Sequence, residues 1–75
     1  MADDFSFKVV RELGVLSTSK TGWNLELNTV DWNNRGEKYD IRSWSPDHQK
    51  MGKGITLSAE ELKALSECIG KINLE

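Results

Sequence analysis

The chain has 75 residues and a formal net charge of −2, with 37% hydrophobic and 29% charged residues. That length allows one domain, the balance excludes a disordered tail, and no apolar run approaches the roughly 18 residues of a membrane span. One cysteine and one histidine exclude an internal disulfide and make a poor metal set.

Met1-Ala2-Asp3-Asp4 is an acidic extension without the charged-then-apolar order of a signal peptide, so an intracellular, cytoplasmic protein is expected, nucleoid-associated if bacterial. Phe5-Ser6-Phe7-Lys8-Val9 alternates apolar and polar residues, the period of a half-buried strand. Apolar residues continue through Val10, Leu13, Val15 and Leu16, predicting a long strand or a bend near Gly14. Ser17 to Gly22 reads as a polar turn. Trp23, Leu25 and Leu27 begin a second strand, and Val30 and Trp32 follow on the opposite parity, which a bulge near Asn28-Thr29 would reconcile. Asn33-Asn34-Arg35-Gly36 is a turn. Tyr39 to Trp44 alternates as a third strand, Pro46 stops it, and Pro46 to Gly54 reads as a polar loop. Ile55-Thr56-Leu57 is a short fourth strand. Ser58-Ala59-Glu60-Glu61 has the capping-box form. The helix behind it carries Leu62, Leu65, Ile69 and Ile72 on one stripe, widened by Ala64 and Cys68.

One helix covers one face of such a sheet. Phe5, Phe7, Val9, Tyr39 and Ile41 are expected to supply that covered face. Arg42 and Trp44 share a parity and are expected on the other, open face with Lys8 and further tryptophans. A tryptophan beside an arginine suits base stacking and phosphate contact to an unpaired strand.

Enzyme chemistry finds no support. His48 is expected to be a solvent-exposed loop residue and Cys68 a small core or interface residue. Met51-Gly52-Lys53-Gly54 lacks the phosphate-loop spacing, and Glu60 and Glu61 suit the helix dipole. Three tryptophans are several-fold above ordinary usage; Trp23 is expected in core or edge packing, Trp32 and Trp44 facing a ligand. Residues 5–57 carry eight Lys/Arg against six Asp/Glu, a mild basic excess between acidic ends.

Asp40-Ile41-Arg42 with Trp44 two residues on, then a polar loop ending in Lys53-Gly54-Ile55-Thr56-Leu57-Ser58 and a capped helix, resembles the positive cofactor four family of transcriptional coactivators. Leu16-Ser17-Thr18-Ser19 and Tyr39 to His48 look nearest to its bacterial YdbC-like branch, and the resemblance covers about residues 5–72. It implies a curved four-stranded antiparallel sheet followed by one helix, a homodimer paired through the helices, and single-stranded DNA bound along the sheets. By the same resemblance Arg42 and Lys53 fall on DNA-contacting basic positions, Trp32 on a stacking aromatic, and Trp44 beside the family's tryptophan. Gly52 stands where eukaryotic members carry an arginine, and their serine-rich tail is absent.

The expected protein is thus an α+β single domain, ββββα, with its sheet in residues 5–57 and its helix in 58–74. It is expected to bind single-stranded DNA with little sequence specificity, through Lys20, Trp32, Lys38, Arg42, Trp44, Lys50 and Lys53. Leu62, Leu65, Ile69 and Ile72 are expected to form the dimer interface. No catalysis, cofactor, metal, membrane or small-molecule substrate is expected. The alternatives are a protein-interaction module using exposed tryptophans, and single-stranded RNA binding.

Overall fold

The computed structural model describes residues 6–72. Four strands, β1 (Phe7–Thr18), β2 (Asn24–Trp32), β3 (Glu37–Trp44) and β4 (Met51–Leu57), precede one helix, α1 (Ala59–Gly70). The strands pair antiparallel in chain order as one open sheet. The acidic residues 1–4 and Phe5 lie outside the described residues.

Local sequence explains the connections. Asn33 and Asn34 take φ of 54° and 60°, and the Arg35 N–H donates to the Trp32 carbonyl at 3.0 Å. Two left-handed residues in a two-residue turn match the strand twist, and asparagine tolerates them best after glycine. Asn33 also accepts from the Ser6 N–H through Oδ1 at 2.8 Å, tying the start of β1 to this turn.

The register places β2's two apolar sets on opposite faces. Leu25 and Leu27 share a face with Tyr39, Ile41, Ile55 and Leu57. Val30 and Trp32 share the other with Phe7, Val9, Arg42 and Trp44. The bulge expected near Asn28-Thr29 is therefore absent: β2 pairs with β3 without interruption from Asn24 to Asp31. Irregularities fall instead in β1, at Val9/Arg11, Glu12/Gly14 and Val15/Ser17. The expected covered face is also corrected, since Phe7 and Val9 lie with Arg42 and Trp44, whereas Lys8, Tyr39 and Ile41 lie opposite. Parity within a strand says nothing of register between strands.

The sheet curls toward the Trp32 face. Phe7 is paired with Trp32 and Trp44 with Asn24, eight residues away along β2. A flat strand would separate those ends by about 27 Å at 3.4 Å per residue. The Phe7 and Trp44 rings nevertheless lie 5.5 Å apart. Bulges raise local twist and bend a strand, and β1 has three of these irregularities.

β4 begins at Met51 rather than Ile55, so the expected loop gives up its last residues to a strand. Gly54 makes this possible, because a Cβ there would overlap the Arg42 side chain and the Ile41 carbonyl. Here glycine marks close backbone approach rather than a loop. The capping box forms as expected: the Ser58 N–H donates to Glu61 Oε1 at 2.8 Å and the Glu61 N–H to Ser58 Oγ at 3.1 Å. The helix ends at Gly70, short of the expected residue 74, with the Lys71 N–H turning back to the Cys68 carbonyl at 3.1 Å. α1 lies against β3 and β4 with Leu62 and Leu65 half-buried and its other residues exposed.

Gly54→Ala is expected to lower unfolding free energy by roughly 1–3 kcal/mol or more, as overpacking does. Urea denaturation checks this, and a loss under about 0.5 kcal/mol would remove the close-approach account of β4.

Candidate nucleic-acid interface

The alternation Asp40-Ile41-Arg42 sets a carboxylate and a guanidinium on one face of β3. Arg42 Nε donates to Asp40 Oδ1 at 2.7 Å and Nη2 to Oδ2 at 3.0 Å, a two-point pair. Thr56 Oγ1 donates to Asp40 Oδ2 at 2.9 Å, so the buried carboxylate gains a third donor from β4. Arg42 Nη1 also donates to the Gly52 carbonyl at 3.3 Å. The guanidinium carbon lies over the Trp32 ring, 4.9 Å from its centroid. Phe7 tilts against that indole at 6.0 Å, and Trp32 stays half-buried. The Arg42 side chain keeps 16% of its exposure, so it is a held group rather than a free phosphate arm.

A second network lies further along the face. Asn28 Nδ2 donates to Glu26 Oε1 at 3.0 Å, and His48 Nε2 lies 3.1 and 3.0 Å from the two Glu26 oxygens. Burial pushes the Glu26 carboxyl up, but bonds from Asn28 and His48 and the His48 charge hold it below its ordinary value. Sequence reasoning left His48 exposed in a loop; it is half-buried, with its ring stacked on Trp44 at 5.6 Å. The loop aims it there. Ser45 N–H donates to the Lys50 carbonyl at 3.0 Å, His48 N–H donates to the Ser45 carbonyl at 2.9 Å, and His48 takes φ of 58°.

Trp44 corrects a further expectation. It is 0% exposed, between Phe7 and His48, and belongs to the core rather than to an open stacking face. The curl of the sheet closes over that end of β3. Trp23 is half-buried near Gly52. Lys20, Lys38, Lys50 and Lys53 are all exposed. Lys20 and Lys50 lie in connections at one end of the sheet; Lys38 lies near the other end, opposite Val30. Sequence reading missed Glu26, Asn28 and Asp40, although the i, i+2 spacing of Asp40 and Arg42 already allowed their pairing.

A lowered carboxyl pKa in the fold stabilises above the unfolded value, about 4.3 for glutamate. That stabilisation is lost as pH falls through the lower folded value. Urea midpoints across acid pH are therefore expected to fall more steeply for the native chain than for Glu26→Gln; parallel curves would show that Glu26 does not carry this acid sensitivity.

A protein from Treponema pallidum (strain Nichols), itself uncharacterized, is 53% identical over 73 residues, covering 97% of this chain and 86% of its own. The profile of the family described as Transcriptional Coactivator p15 (PC4) matches residues 19–68, from the β1–β2 turn well into α1. The chain belongs to the transcriptional coactivator p15 (PC4) family, a nucleic-acid-binding and non-enzymatic family.

Proposed function

We propose that the protein is a homodimer that binds single-stranded DNA, mainly through stacking and phosphate contacts. The observation that carries the reading is Trp32, half-buried and held by the Arg42 guanidinium, which Asp40 fixes in turn. A ring already held costs little side-chain entropy when a base stacks on it. Exposed Lys20, Lys38, Lys50 and Lys53 supply the charge for phosphates. Arg42 serves mainly as the positioning group under Trp32.

Dimerisation rests on leftover apolar surface. Ile69 and Ile72 are 44% and 55% exposed, and Leu62 and Leu65 only half-buried. A small domain with such a stripe commonly closes it with a twin about a two-fold axis. The protein-interaction alternative loses one of its two anchors with the burial of Trp44.

Titration of single-stranded against duplex oligonucleotide, read by tryptophan fluorescence, tests the proposal. Single strands are expected to bind much more tightly, because a duplex keeps its bases stacked and hidden. A dimer making roughly four to six phosphate contacts gives a log–log salt slope of about −3 to −4. Trp32→Ala is expected to weaken binding about tenfold or more. Equal affinity for duplex, or a slope near zero, would overturn the reading; sedimentation showing a monomer at micromolar concentration would overturn the dimer.

A further inference from the structure

Four aromatic rings form an unbroken row across the curled face. Trp32 lies 6.0 Å from Phe7, Phe7 lies 5.5 Å from Trp44, and Trp44 lies 5.6 Å from His48. Trp44 is sealed inside the row, but the two ends are open: Trp32 is half-buried and the His48 side chain keeps 36% of its exposure. The proposed function uses the Trp32 end alone.

His48 is held as firmly as Trp32. One face of its ring stacks on Trp44 with 30° between the planes. Its Nε2 edge meets the two Glu26 oxygens at 3.1 and 3.0 Å, and a carboxylate there calls for a proton on Nε2. The backbone is committed too, with φ of 58° and the N–H donated to the Ser45 carbonyl. Few non-glycine residues adopt such a φ, and strained positions of this kind collect at ligand sites. With one face and one edge occupied, the exposure that remains belongs to the other face and the far edge of the ring.

That free side borders a cavity of about 340 Å³, walled by Leu13, Gly14 and Val15 of the bulged β1 and edged by Glu12 and Glu26. Its volume lies at the small end of ligand sites and suits one flat heterocycle. No lysine or arginine lines it, so phosphate is kept out while an uncharged ring is admitted. Cations for the phosphates stand outside, with Lys20 in the β1–β2 connection and Lys50 in the β3–β4 loop both exposed at that end of the sheet.

We infer that His48 is a second stacking site, which takes a base of the bound strand into this cavity on the ring face turned away from Trp44. The inference rests on the single-strand reading above and adds a base at the opposite end of the row from Trp32. Trp44 backs the histidine and does not meet the base itself. Stacking needs only a π-face, so the site accepts every base. Two anchors fix the path of the strand along the face, from the β2–β3 turn to the β3–β4 loop.

The chain has one histidine, so its ring protons can be followed by NMR without ambiguity. The full chain is titrated with a purine-containing single strand and with a strand of the same length that lacks all bases. A base stacked on the imidazole is expected to move the His48 signals upfield by its ring current. The baseless strand offers the same phosphates and is expected to leave them in place. His48→Gln keeps an N–H donor for Glu26 and removes the ring. It is expected to weaken binding of the purine-containing strand about tenfold, the worth of one stacked base, and to leave affinity for the baseless strand unchanged. His48 signals that stay in place while the Trp32 indole signal shifts would overturn the inference and leave the single-strand reading standing. An equal shift with the baseless strand would overturn it in favour of a phosphate contact. An equal loss of both affinities in His48→Gln would make His48 a support of the loop and also overturn it. If the purine-containing strand moves neither ring and binds no better than the baseless one, the single-strand reading falls and this inference falls with it.

Discussion

A carboxylate with no exposed surface must find its compensation inside the protein, and Asp40 is such a group. Arg42 supplies two donors and a charge, and Thr56 a third donor. Removing either charge would strand the other, which for buried pairs costs about 3–5 kcal/mol. This one pair links three features. It joins β3 to β4 through Thr56 and the Gly52 carbonyl. The close approach of β4 that brings Thr56 to it leaves room only for glycine at position 54, where a Cβ would overlap Arg42 and the Ile41 carbonyl. The pair also sets the guanidinium over Trp32, the aromatic that the proposed function uses.

The curl of the sheet follows from β1 as much as from the ion pair. Three irregularities in a twelve-residue edge strand bend it around the face that holds Trp32 and Trp44. They also break the flat row of backbone groups that an edge strand would offer to another chain. The cost is exposed apolar surface, with Val10, Leu13, Val15 and Leu16 all open to solvent. The face is zoned as a result. Trp44 is sealed near the β3–β4 loop, Trp32 remains half-buried beside the opposite turn, and the Glu26 network lies between.

Element order along the chain and the capping box were legible because each is a local pattern. The helix stripe was legible for the same reason. Register was not, since Phe7 and Val9 carry no local sign of pairing with Trp32 and Val30. Glycine misled the reading of β4: Gly52 and Gly54 look like loop residues until the neighbouring strand is placed beside them. Trp44 misled it too, because a tryptophan followed by Ser45 and Pro46 reads as an exposed strand end, and only the bend that brings Phe7 to it explains its burial. His48 gave no signal, its partner Glu26 being 22 residues away.

The central claim is a division of labour between tryptophans, Trp32 meeting a bound strand and Trp44 holding the core. The three indole N–H resonances, followed by NMR as single-stranded oligonucleotide is added, test it most directly. The account predicts that the Trp32 signal shifts most while the Trp44 signal stays in place and exchanges slowly with solvent. A Trp44 signal that shifts strongly while that of Trp32 stands still would contradict it.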